Sequence, residues 1–327
     1  MIDSILNSLG KNQSRRGWAE RLMRIPPAYI VFVVLLAVLW FTRPNMFNLN
    51  VMGVFFRQVA PLGVVVLGQM LVMRVKSIDL SSGGVILLIN YFISSGTFPD
   101  AHPAFFVALA LATGTAVGFF NGFMVAKRRV SAVIVTLAVS IVLVGLVQYL
   151  SSGKPPGDVP EYFNHLFNTS FGPVPAPVLF WAVLTAIMAG FMSLTVFGRF
   201  VTSVGESPEA AHFSGVPVER TVMLAHTLAG FIAGIAALVQ TASIAVGSVR
   251  VGLDLPILAV AATILGGVVF GRGEGGVWGP FFGVLSFALL FVVMTTLGVG
   301  DPGRLIAQGL IIMLAAIFYG VAAKRTN

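Results

Sequence analysis

Residues 197–215 read FGRFVTSVGESPEAAHFSG and form a polar segment between two long apolar runs. Ser207 suits a helix N-cap, and Pro208 suits the first position of a helix. Gly215 suits the position just past a helix end, where a left-handed backbone is needed. The spacing therefore predicts a helix of about two turns that is capped at both ends.

This short helix is expected to lie against another surface, because a helix of two turns is unstable alone in water. Glu206 and Glu209 place negative charge at the positive end of its dipole. Small residues on one face and an exposed phenylalanine suit a groove on a soluble partner. A plain membrane-surface loop helix is the alternative. The helix body contains Ala210, Ala211, His212 and Phe213.

The composition is that of a membrane protein. Hydrophobic residues make up 57% of the 327 residues and charged residues 10%, whereas soluble domains carry about 25% charged residues. Cysteine is absent and the four histidines are scattered, so disulfides are excluded and no metal site is expected. The net charge of +8 is concentrated at the ends of apolar runs, where it orients a chain in the bilayer.

Ten apolar runs approach the length of about 20 residues that a spanning helix needs. We therefore expect an all-α membrane protein with about ten transmembrane helices in one domain over residues 27–322, flanked by tails at 1–26 and 323–327. Residues 47–58 are expected to form a short interfacial helix. The runs lie at 27–42, 59–74, 83–98, 103–126, 131–151, 177–197, 221–244, 255–270, 277–297 and 304–322.

The basic residues predict the orientation of the chain. With the N-terminus inside and ten crossings, fifteen of the 20 basic residues fall on the cytoplasmic side, as the positive-inside rule requires. Both termini and the segment 198–220 are then cytoplasmic, and residues 153–177 are external. Prolines forbid a continuous helix in this external segment, which is either a connector or a docking face for an external protein. The five outer basic residues are Arg43, Arg57, Lys154, Arg250 and Arg304.

Glycines recur at four-residue spacing in three of the apolar runs. Four residues make about one helical turn, so each set forms a flat strip that another backbone can approach closely. The pattern predicts tight helix packing and indicates no particular function. The sets are Gly114, Gly118 and Gly122; Gly230 and Gly234; and Gly275, Gly279 and Gly283.

The sequence carries no motif for chemistry of its own. The G-x-x-x-x-G-K-[ST] phosphate loop, the G-x-S-x-G nucleophile elbow and the HExxH zinc motif are all missing, which favours a non-catalytic subunit without a cofactor. A membrane-embedded enzyme is therefore a weak alternative. An ion-driven secondary transporter usually has an ionisable group at mid-membrane depth, and the cleaner runs here have none.

Neutral amides occupy the interiors of the runs instead. They suit transient hydrogen bonds to a hydroxylated solute on a translocation path, and hydrogen bonds between helices are the alternative. Asp79 and Ser81 lie just before the third run. There they either cap that helix or form a gate near the inner mouth, where Asp79 could pair with Arg74 or Lys76. The path candidates are Gln69, Asn90, Asn121 and Gln240, and Gln148 is a similar amide.

Four stretches in order resemble the permease subunits of ribose-type monosaccharide ABC importers. One is Glu209-Ala210-Ala211 with Gly215, preceded by Phe197-Gly198-Arg199. The others are Ile78-Asp79-Leu80-Ser81, Asn121-Gly122 with Ala126-Lys127, and Leu265-Gly266-Gly267 with Gly271-Arg272-Gly273 and Trp278-Gly279. The resemblance covers roughly residues 50–320.

The resemblance implies a ten-helix permease of a bacterial inner membrane, similar in outline to the cobalamin-importer permease. Two copies, or one copy and a related subunit, would form the path for a small hydroxylated solute, most simply a monosaccharide. Separate ATPase subunits would bind the ATP and dock inside, and a solute-binding protein would dock outside. Residues 206–215 would then be the coupling helix, between helices 6 and 7. Related permeases for an amino acid or a nucleoside are a further alternative.

Overall fold

A computed structural model of the chain describes residues 26–99, 101–268, 273 and 275–326. Residues 1–25 of the predicted tail at 1–26 lie outside these residues, as does Gly271-Arg272 of the stretch that follows Leu265-Gly266-Gly267. The helices are α1 (Pro27–Thr42), α2 (Leu49–Arg74), α3 (Ser82–Ser94), α4 (Pro103–Ala126), α5 (Ala132–Ser151), α6 (Glu161–Asn168), α7 (Ala176–Leu194), α8 (Val196–Glu206), α9 (Pro208–Phe213), α10 (Val218–Ile244), α11 (Leu255–Leu265), α12 (Trp278–Thr296) and α13 (Asp301–Thr326). A 3-10 turn spans Pro44–Phe47.

In the described part of the chain, each of the ten predicted spans is mostly helical, which confirms an all-α membrane protein. Among the described residues, six helices are long and apolar enough to cross a bilayer: α2, α4, α5, α7, α10 and α12. The apolar helices α1, α3 and α11 are shorter than that length, and α13 occupies the tenth predicted span. The count of ten crossings stays a prediction.

Residues 47–58 are not the short separate helix that was expected: they contain the end of the 3-10 turn and the start of α2, which continues without a break to Arg74. The guanidinium of Arg57 turns toward the 153–177 segment and donates to Asn168 Oδ1 at 3.0 Å and to Ser170 Oγ at 2.9 Å. With its charge held there by hydrogen bonds, Arg57 fits on a continuous helix.

The core is built from helices of unequal burial. In the most apolar stretch of 18 residues, 61% of the residues are buried inside the chain in α2 and in α12, against 22% in α4 and in α5. α10 packs against α4, α2 and α3, and α12 packs against α1, α11 and α2. The outer faces of α4, α5 and α7 carry exposed apolar side chains, as helices surrounded by lipid do.

The glycine strips pack as the sequence predicted. A Cβ added to Gly114 would meet the carbonyl oxygen of Gly230, and one added to Gly118 would meet that of His226. In the same way, a Cβ on Gly279 would meet the carbonyl of Gly266. These contacts bring the backbones of α4 and α10, and of α12 and the end of α11, together at distances that only glycine allows.

Residues 153–177 form a compact cover at one end of the bundle, called here the outer end after its predicted location. Helix α6 is followed by a two-stranded hairpin in which Ser170 pairs with Pro175 and Phe171 with Val174. Phe163 and Phe167, one turn apart on α6, are buried against the helices below. The prediction that this segment is no continuous helix is confirmed, and its docking role stays a prediction.

Candidate coupling site and solute path

The predicted two-turn helix is present as α9, with the caps read from the sequence. The Ser207 side chain accepts a hydrogen bond from the backbone N–H of Ala210 at 3.2 Å. At the other end, Gly215 has φ of +81°, its N–H donates to His212 O at 3.0 Å, and Val216 N–H donates to Ala211 O at 3.0 Å. These two bonds are the Schellman pattern, in which a left-handed glycine closes the helix.

One side of α9 is exposed, and the other packs against the bundle. Ala211 is buried against the bundle, whereas Phe213 is 89% exposed. Glu206, Glu209, Ala210 and His212 are exposed as well. Phe213 thus places an apolar group on the exposed side of a helix whose two ends are capped, which makes it the candidate contact residue of α9.

Helix α8, which precedes α9, was not predicted. Its signal was present, because Phe197, Val201 and Val204 follow the spacing of one helical face. The structure buries Val201 and Val204, and the Thr195 hydroxyl caps the helix by accepting from Gly198 N at 3.2 Å. The 198–220 segment thus contains most of α8 and all of α9 before α10 begins at Val218, and α8 connects α9 to α7.

The segment from the last residue of α2 to the first residue of α3, residues 74–82, is called here the 74–82 connection. At its start, Arg74 Nη2 donates to Thr202 Oγ1 of α8 at 2.7 Å, and Lys76 Nζ donates to the carbonyl of Glu206 at 3.2 Å. Gly205 lies so close that an added Cβ would meet the carbonyl oxygen of Arg74. These contacts fix the connection to α8, the helix that precedes α9.

The same connection reaches three other helices. Ser77 Oγ lies 2.7 Å from His226 Nε2 on α10, and the N–H of Leu80 donates to Thr136 Oγ1 on α5 at 3.0 Å. Asn121 Nδ2 on α4 donates to Ser81 Oγ at 2.8 Å. This one short segment therefore links α8 to α4, α5 and α10, so that a displacement of α8 would be transmitted to all three.

The predicted pairing of Asp79 with Arg74 or Lys76 is wrong, since both cations are turned toward α8. Asp79 Oδ1 instead accepts from the backbone N–H of Ser81 at 2.8 Å and from its hydroxyl at 2.6 Å. Ser81 is the residue before α3, and its own side chain makes no cap bond to that helix. Asp79 therefore stabilises the turn ahead of α3 rather than the helix itself.

The path candidates lie mostly inside the chain. Gln69, Asn90 and Asn121 are buried, and Gln240 is half-buried. Asn90 accepts from Ser248 N at 2.9 Å and donates to Val246 O at 3.3 Å, so it holds the 245–250 loop. The bonds of Asn90, and the bond from Asn121 to Ser81, fit the alternative role of these amides, which is to hold parts of the protein together. For all four amides a role on the translocation path stays a prediction.

Two pockets open at opposite ends of the bundle. The larger, about 1140 Å³, lies at the inner end beside α9 and is lined by the 74–82 connection, residues 125–133 and the start of α10. The other, about 590 Å³, lies at the outer end and is lined by Gln148, Gly153, Val249, Arg250, Leu253 and Asp254. Sequence reasoning missed Arg250 and Asp254 as a site, because 102 or more residues separate them from Gln148 along the chain.

Comparison with known proteins gives a consistent set of likenesses. A family model described as "Branched-chain amino acid transport system / permease component" matches residues 51–320. The ribose import permease protein RbsC of Escherichia coli strain K12 is 28% identical over 308 residues, covering 93% of this chain and 96% of the relative.

Two further relatives match over similar lengths. The L-arabinose ABC transporter permease protein AraH of Azospirillum brasilense is 28% identical, covering 93% of this chain and 89% of its own. The ribose import permease protein RbsC of Bacillus subtilis is 26% identical, covering 94% and 96%. No solved structure matches the chain.

Proposed function

This chain belongs to the family of permease components of branched-chain amino acid transport systems, and from that premise we propose that it is the permease subunit of an ABC importer for a monosaccharide. The observation that carries the proposal is full-length similarity to ribose and arabinose permeases. The exposed, doubly capped α9 supports it independently, because such a helix suits coupling to a soluble partner. ATP and its magnesium would be bound by a separate ATPase chain.

In this proposal α9 inserts Phe213 into a groove of the ATPase on the cytoplasmic side. Closure of the ATPase pair on ATP moves α9 and α8 as one body, because the two helices share Ser207 as a cap residue and pack against each other. The 74–82 connection follows α8 through Arg74. It passes the movement to α4 through Ser81, to α5 through Leu80 and to α10 through Ser77. Such a rigid shift of packed helices is an established form of switching.

The solute path would lie between two permease chains, identical or related, in a bundle of ten helices with both termini in the cytoplasm. Asp79 and Ser81 would act as a gate by holding the turn before α3. The outer pocket supports a polar entrance, because Gln148, Arg250 and Asp254 offer the donors and acceptors that hydroxyl groups need. An external binding protein would deliver the sugar there.

Uptake of labelled ribose, L-arabinose and leucine by cells that carry or lack this chain tests the proposal. We expect uptake of one of the sugars to be lost with the chain, to return with it, and to persist when an ionophore collapses the ion gradients while ATP is maintained. Uptake of leucine alone would contradict the sugar assignment. Loss of uptake on collapse of the gradients would favour a secondary transporter.

A further inference from the structure

A groove of about 470 Å³ lies at the outer end, between α4, α7 and α10 and below the 153–177 cover. Every side chain that lines it is a hydrocarbon, and none offers a hydrogen bond. Prominent among them are Phe163 and Phe167 of α6, Phe171 of the hairpin, Phe180 and Val183 of α7, and Val239 of α10. A site of this size without polar groups suits an apolar ligand and not a sugar.

The position of the groove indicates which apolar ligand reaches it. α4, α7 and α10 are all long and apolar enough to span a bilayer, so the open side of the groove faces lipid. Along α7 the lining of the groove extends from Ala176 to Val183. At the rise per residue of an α-helix, this corresponds to a depth of about 10 Å. It therefore runs from the bilayer surface into the hydrocarbon.

The roof of the groove has the character of an interfacial helix. α6 buries Phe163 and Phe167 on one side, while Tyr162 is exposed on the other. Amphipathic helices of this kind lie at the boundary between headgroups and acyl chains, and tyrosine is enriched at that depth. A ligand held below α6 would thus have its polar end at the level of the headgroups.

We propose that this groove binds one acyl chain of a phospholipid from the outer leaflet, held below α6 rather than exchanging freely with bulk lipid. The apolar lining selects the chain, the roof sets its depth, and the open side admits it from the bilayer. A second copy of the protein, packed into the groove, is the competing occupant.

Two positions on α7 provide a matched test. Val183 lines the groove and is 50% exposed, whereas Ile187, one turn deeper, is 61% exposed and lies outside it. Val183→Trp would fill the groove, and Ile187→Trp would place the same ring on the lipid-facing surface beside it. Val183→Phe is a smaller filling substitution for use if the tryptophan variant fails to fold.

The measurement is native mass spectrometry of the full chain, delipidated in detergent and titrated with palmitoyl-oleoyl phosphatidylethanolamine. We expect wild type and Ile187→Trp to bind one lipid per chain with similar affinity, and Val183→Trp to bind it roughly tenfold or more weakly. Equal binding by all three, or no bound lipid on wild type, would overturn the proposal. A Val183→Trp variant that loses self-association but keeps its lipid would assign the groove to the second copy.

Discussion

At the scale of single residues, Gly215 shows how much a sequence pattern can predict. The pattern Ser-Pro-Glu at one end and glycine at the other specified both caps of α9, because capping depends on residues within one turn. A Cβ at Gly215 would meet no neighbour, so the positive φ alone is what favours glycine there.

We expect Gly215→Pro to uncouple transport while leaving membrane insertion intact. Proline fixes φ near −65°, far from the +81° of Gly215, and removes the N–H that bonds His212 O. Gly215→Asn is the control, since asparagine tolerates the left-handed conformation. Sugar uptake and ATPase activity of the two variants in the assembled transporter give the comparison, and normal uptake by Gly215→Pro would remove α9 from the coupling mechanism.

Asp79 provides a second comparison at this scale. Asp79→Ala leaves the buried N–H and hydroxyl of Ser81 without their acceptor, which costs about 1–3 kcal/mol for each unsatisfied group. Asp79→Asn keeps an oxygen at the Oδ1 position. The thermal unfolding midpoint in detergent should therefore be lower for Asp79→Ala than for Asp79→Asn, and the reverse order would mean that the turn before α3 does not depend on this side chain.

The 74–82 connection could not be predicted from sequence for a physical reason. Ser77 and His226 are 149 residues apart, and Arg74 and Thr202 are 128 apart. No local propensity specifies such pairs, since they depend on how α2, α8 and α10 pack. The pairing of Asp79 with Arg74 or Lys76 was inferred from proximity along the chain, and the structure turns those cations toward α8 instead.

At the scale of elements, hydrophobic runs predicted most of the helices, and glycine spacing predicted where a helix packs closely but not against which partner. α8 was not predicted, and residues 47–58 were expected as a short helix ahead of the second run, in which Arg57 is a charged interruption. In α2 the tertiary contacts of Arg57 override that local signal, and in α8 burial against the bundle supplies the stability that its length does not.

The glycine contact between α4 and α10 should be sensitive to added volume. A side chain at Gly230 would meet the backbone of Gly114 and Gly118, and overpacking of this kind costs about 1–3 kcal/mol. Gly190 on α7 has open space around an added Cβ, so Gly190→Val is the matched control. We expect the unfolding midpoint of Gly230→Val to fall by several degrees relative to Gly190→Val, and equal midpoints would show that the strip is not tightly packed in the membrane.

At the scale of the whole molecule, the orientation rests on the distribution of basic residues. Because the chain has no cysteine, single cysteines report its topology without background. Lys154 at the outer end and Arg199 at the inner end are both exposed. A membrane-impermeant maleimide added to spheroplasts should label Lys154→Cys at once and Arg199→Cys only after permeabilisation, and the opposite pattern would invert the proposed topology.

Co-purification shows whether α9 couples this permease to a separate ATPase. Tagged wild type, Phe213→Asp and Phe213→Leu would be extracted in a mild detergent, and their partners identified by mass spectrometry. We expect a stoichiometric P-loop ATPase with wild type and with Phe213→Leu, and its loss with Phe213→Asp, which puts a charge where an apolar contact is expected. A wild-type chain that comes alone, or an ATPase retained equally by Phe213→Asp, would contradict it.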